Sequence, residues 1–208
     1  MKSKLVLTFA LLALLPASAS AQDEPSAAQA VDSAAVARKL SSRSPVERRA
    51  AAEELARLAS ADHRRLVEGY RVQERDARVK LALDWALYRM GKNESVFPLV
   101  EALDEKSRAE QAVGYLKQLE GPGPLYVFLD RVNGNTRIRL LEVLASVGDR
   151  DTLEKIKPFT ESLDPGIADA AKFAEREIGI RVEETPAAEP KRQRKVGSSS
   201  DDDTQPPL

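Results

Sequence analysis

One pattern limits what this chain can fold into: an apolar stripe at helical spacing that returns about every thirty residues. It is clearest near the C-terminal end, where Asp164-Pro165-Gly166-Ile167 opens a segment carrying Ala171, Ala174 and Ile178 and closing at Gly179. Asp caps a helix, proline is tolerated in the first turn because amides there lack a helical partner, and glycine accepts the left-handed backbone that ends one. Ile167, Ala171, Ala174 and Ile178 fall on a single face. The pattern returns in Thr136, Leu140, Val143, Leu144, Val147 and Gly148, following Asn133. It returns again in Asp76, Val79, Leu83, Ala86, Leu87, Met90 and Gly91, and in Ser44, Pro45, Ala51, Leu55, Leu58 and Ala59. A weaker copy runs through Ala109, Ala112, Tyr115, Leu116 and Leu119 to Glu120. The closing positions 59, 91, 120, 148 and 179 lie 32, 29, 28 and 31 residues apart.

Each copy but the last is followed by a shorter amphipathic segment. These are His63, Leu66, Val67 and Tyr70; Val96, Leu99, Val100 and Leu103; Leu125, Phe128, Leu129 and Val132; and Ile156, Phe159 and Leu163. Two helices in thirty residues cannot enclose a core, so neighbouring pairs must stack. The expectation is an all-α solenoid of about five helix pairs over residues 44–180, with a lone cap helix near residues 30–40 behind a linker that starts at residue 22.

The string Asp164–Gly179 resembles the HEAT-like repeat of the phycobilisome-lyase type. Val79-Lys80 through Met90-Gly91, followed by Phe97-Pro98-Leu99-Val100-Glu101-Ala102-Leu103, is similar to a whole unit of it. The resemblance spans residues 44–179 and departs from the pattern at Arg108 and at Glu120, where the closing glycine is displaced to Gly121. It implies a right-handed superhelix of antiparallel pairs with the second helices on the concave side. It implies no particular chemistry, because this repeat serves unrelated proteins.

The two ends read differently. Lys2 and Lys4, the apolar run Leu5–Leu15 and Ala19-Ser20-Ala21 have the form of a secretory signal cleaved after Ala21, giving a periplasmic or secreted protein that starts at Gln22. The run is too short to span a bilayer, and no cysteine follows it to carry a lipid. The 181–208 segment has Pro186, Pro190, Pro206 and Pro207, the basic cluster Lys191-Arg192-Gln193-Arg194-Lys195 and the acidic run Asp201-Asp202-Asp203, a composition expected to be disordered.

Loss of the signal leaves 30 basic against 33 acidic residues, a net charge of −3, without the concentrated basic face that nucleic acid demands. With no cysteine, stability must come from packing. The single histidine, His63, lies on an apolar stripe without companions at metal-ligand spacing. No nucleophile elbow, phosphate loop or zinc-binding helix motif is present, so no catalytic, cofactor or metal residue is assigned.

Superposing the second segments yields the one functional pattern. One slot holds Arg64, Phe97, Tyr126 and Lys157; the slot four residues on holds Glu68, Glu101, Asp130 and Glu161. In a stacked array both slots become rows on the concave face, an acidic ladder beside two exposed aromatics. Such a surface suits a basic or mixed protein segment. Trp85, on a second apolar stripe with Leu81 and Tyr88, is expected to pack against both neighbouring repeats, with a self-association face as the alternative. The function expected is therefore an extracytoplasmic protein-binding scaffold of unspecified partner, without nucleic acid or a membrane span. The alternatives are a carboxylate-based lyase or hydrolase subunit and a self-associating cell-envelope protein.

Overall fold

A computed structural model describes residues 27–184. Within them every regular element is helical and there is no strand. Nine α-helices run in order: α1 (Ala27–Arg38), α2 (Pro45–Leu58), α3 (Arg64–Gln73), α4 (Ala77–Arg89), α5 (Val96–Glu101), α6 (Ala109–Leu116), α7 (Gly134–Val147), α8 (Arg150–Ile156) and α9 (Pro165–Glu184). Short 3-10 turns flank several of them, among them Gly123–Phe128 and Lys157–Glu161.

The helix starts follow from capping chemistry. Ser44 accepts from the Glu47 amide ahead of Pro45, and Asp76 accepts from Arg78 and Val79. Asp149 forms a capping box with Thr152, and Asp164 accepts from Gly166 and Ile167 ahead of Pro165. The cap helix expected near residues 30–40 is α1 with the turn Lys39–Ser41, and it packs on α2.

The core lies along the first helix of each copy. α2 packs lengthwise on α4, and α7 on α9. Small side chains permit the close approach: Ala51, Ala52 and Ala56 are buried on α2, and Ala171 and Ala174 on α9, between larger Leu55, Leu83, Leu140 and Leu144. The second segments α3, α5 and α8 each follow and touch a first helix: α3 and α5 pack on α4, and α8 on α9.

The middle copy departs from this scheme. α6 is only eight residues long, starts behind Arg108 without a side-chain cap, and stops at Leu116. The expected end at Glu120 is thus corrected; the chain has already left the helix, and Gly121-Pro122-Gly123-Pro124 then admits a 3-10 turn where the first two second segments, α3 and α5, are α-helical. Two prolines remove amide donors and disfavour the α-conformation in the residues before them. α6 is held to its neighbours by aromatic and polar contacts. The Tyr115 ring stacks on Trp85 with centroids 5.6 Å apart and planes 4° from parallel. The Tyr115 hydroxyl donates to Glu53 Oε1 at 2.7 Å, and Gln111 Nε2, one turn back on α6, donates to that hydroxyl at 2.7 Å and to the Arg78 carbonyl on α4 at 3.0 Å.

The helix-closing positions turn out to work for different reasons. Gly91 (φ +88°) and Ala59 (φ +50°) take the left-handed backbone. Gly148 does not; its φ is −65°. There a Cβ would come within 2.6 Å of Ile178 Cδ1 and 2.5 Å of the Leu144 carbonyl, so glycine is required by crowding against α9. Gly179 closes nothing, because α9 continues through it to Glu184. The expected boundary at residue 180 is corrected accordingly. Arg181 belongs to the packed helix and donates to the Ala145 and Gly148 carbonyls at 3.1 and 2.8 Å, which fastens the last turns of α9 to α7.

Candidate partner-binding surface

The residues singled out as two rows sit on the second segments, and the structure treats them unequally. Arg64 is exposed in the first turn of α3. Glu68, one turn on, is half-buried and accepts from Lys92 Nζ at 2.7 Å, an ion pair that holds its carboxyl below the usual range. Phe97 is 42% exposed on α5, with its ring edge-on to Phe128 at 4.8 Å. Glu101 lies four residues later on the same helix face, exposed.

Tyr126 is a correction. It is half-buried, because the 3-10 turn lays its ring against the start of α8. Its hydroxyl is engaged with Asp149 Oδ1 at 3.0 Å and Thr152 Oγ1 at 2.8 Å, and Lys155 Nζ lies 4.8 Å from the ring centroid. Burial, opposed by the Thr152 contact, raises the phenol above its ordinary value. Tyr126 is therefore first a tie between the middle unit and α8, with only part of its ring available. With exposed Asp130 it lines a pocket of about 340 Å³ that also includes Leu129, Glu154 and Phe159. Lys157 and Glu161 are exposed on the adjacent turn and do not line that pocket. Glu101, Asp130 and Glu161 make no hydrogen bond or ion pair among the described residues.

Trp85 packs against a neighbouring helix as expected, which corrects the alternative of a self-association face. The ring is 4% exposed, stacked between Tyr88 and Tyr115, and Leu81 beside it is fully buried. Its second apolar stripe is consumed by α6. His63 is half-buried at the start of α3.

Two features escaped the sequence reading. Asp84, 3% exposed on α4, takes both guanidinium arms of Arg71. Burial pushes its carboxyl up, and Arg71 opposes the shift. An aspartate inside the run Leu81–Leu87 was a visible signal, since a charge at such a position needs a partner. The second is a groove of about 810 Å³ between α7 and α9, floored by Ile138, Ala145, Ala170 and Phe173. Its signal was weak, because Phe173 falls between the core positions 171 and 174.

Among the described residues no cluster of three or more His, Cys, Asp or Glu is arranged to hold a metal, and no helix is long and apolar enough to cross a membrane. The signal-like residues 1–21, the cluster Lys191–Lys195 and the run Asp201–Asp203 lie outside the described residues. Compared with known proteins, the chain matches no family model and no curated relative.

Proposed function

We infer that this chain is an exported HEAT-like α-solenoid of about five helix pairs that acts as a protein-binding scaffold, its partner seated across the second segments. The repeat reading is supported by helix caps at two of the expected closing positions, Ala59 and Gly148, and one residue before a third, at Met90, and by the packing of α2 on α4 and α7 on α9. Export is supported by Lys2, Lys4, Leu5–Leu15 and the small residues at 19–21, and N-terminal sequencing of the protein expressed in its own host would then begin at Gln22.

One observation carries the binding reading: Phe97 stands 42% exposed against Phe128 at a junction between units, with the unpaired carboxylate Glu101 on its own helix face and the unpaired Asp130 two residues past Phe128. A large ring left partly in water costs free energy that a partner would recover, and free carboxylates on its rim favour a basic segment. Phe97→Ala removes the anchor and leaves the buried Phe128 in place. Affinity capture from an envelope extract should lose its bound protein with Phe97→Ala. With Glu101→Lys/Asp130→Lys the loss should be greatest at low salt. Capture unchanged by both variants would refute this surface.

A further inference from the structure

The α7–α9 groove stands on the first-helix side of the array and takes no part in the surface discussed above. Its floor is apolar, with Phe173 42% exposed beside Ile138, Ala145 and Ala170. Its walls carry Glu142, Asp169 and Glu177, all exposed and none in an ion pair among the described residues. Of the two cations that line it, Arg181 reaches back to the Ala145 and Gly148 carbonyls, and Lys117 stands at the α6 side.

We propose that this groove is the docking site of the chain's own basic segment Lys191–Lys195. Two arguments select that occupant. The first is charge: Lys191, Arg192, Arg194 and Lys195 bring four positive charges to a wall with three unpaired carboxylates. The second is reach. The described chain stops at Glu184, one turn beyond Arg181 at the end of the groove. Seven residues from Glu184 to Lys191 span at most about 25 Å. Glu177 lies only about 10 Å back along the helix axis from Glu184. The segment is therefore long enough to reach back to Glu177 and toward Asp169 and Glu142. Tethering holds the segment at about millimolar local concentration, so weak contacts suffice to populate the docked state.

The chain has no cysteine, which makes a cross-linking test clean. Ser146→Cys places a thiol in the groove wall and Val196→Cys places one just after the cluster. The control pairs Val196→Cys with Asp151→Cys on α8, which also packs on α9 but does not line the groove. In dilute full-length protein the groove pair should close its disulfide about tenfold faster than the control, which shares the same tether. That advantage should fall several-fold in 0.5 M salt, where the Debye length is only about 4 Å, and with Glu142→Lys/Asp169→Lys. Equal closure rates for the two pairs would overturn the proposal. So would a groove cross-link whose yield rises with protein concentration, because the occupant would then be the tail of a second copy.

Discussion

The outer helix pairs and the segment between them hold together by different means. α2 meets α4, and α7 meets α9, chiefly through long faces of buried alanine and leucine, with Arg181 fastening the last turns of α9 to α7. α6 is a short helix that buries Ala112 and Leu116 and is otherwise held by the Tyr115–Trp85 stack and by hydrogen bonds joining Tyr115 to Glu53, Gln111 to the Arg78 carbonyl and Arg139 to Glu110. The outer contacts grow with helix length, whereas the middle contact depends on a few directed interactions. The part of a fold held by the fewest buried contacts is the part that opens first.

The largest expected effect is at an outer pair. Leu83 is 1% exposed on α4, and Leu83→Ala should cost about 2–5 kcal/mol in denaturant unfolding followed by the single tryptophan, Trp85. A loss below 1 kcal/mol would mean that the α2–α4 face is not the close-packed one.

Next comes a pH effect confined to the N-terminal pair. Arg48 Nε and Nη2 donate to Glu74 at 2.7 and 2.9 Å, and the amides of Arg75 and Asp76 donate to the same carboxylate. The Arg48 hydrogen bonds, aided by those amides, hold Glu74 down from 4.5 to about 2. A depressed carboxyl stabilises the fold fully above its unfolded value and loses that contribution as pH falls toward the folded value. About 3 kcal/mol should therefore disappear between pH 5 and pH 2. Glu74→Gln should flatten that part of the stability–pH curve, and an unchanged slope would remove the clamp from the account.

At the middle junction, Tyr115→Phe keeps the ring stacked on Trp85 but strips the hydroxyl from Glu53 and Gln111. The cost should be about 1 kcal/mol by the same unfolding measurement. The smallest effect has the opposite sign. Ala59 occupies a left-handed position that Gly91 fills in the next unit, so Ala59→Gly should raise stability by about 0.5–1 kcal/mol.

What could be read from sequence tracks the same division. The stripes and caps of α2, α4, α7 and α9 were legible because each helix is long enough for several periods and begins at a Ser, Asp or Asn. The third copy was faint because Gly114 and the Gly-Pro pairs carry no periodic side chain, and its attachment runs through Tyr115 to a residue 62 positions away. Gly148 and Gly179 show another limit: a glycine in a helix-closing slot does not reveal whether conformation, crowding or neither demands it. Of the slot residues, Phe97, Glu101, Asp130 and Glu161 are exposed, whereas Glu68 is tied to Lys92. The slot periodicity misjudged Tyr126 because the capping box that engages its hydroxyl lies on the following helix.

Native-state hydrogen exchange tests the division between outer pairs and middle unit most directly. Amides of α6 and of the 123–132 segment should open together at a free energy well below that of α2, α4, α7 and α9. Tyr115→Phe should lower that sub-global opening further while leaving the outer helices at the global value. If α6 exchanges only by global unfolding, as slowly as α4 and α7, the aromatic pin is no weaker than the close-packed faces and the account is contradicted.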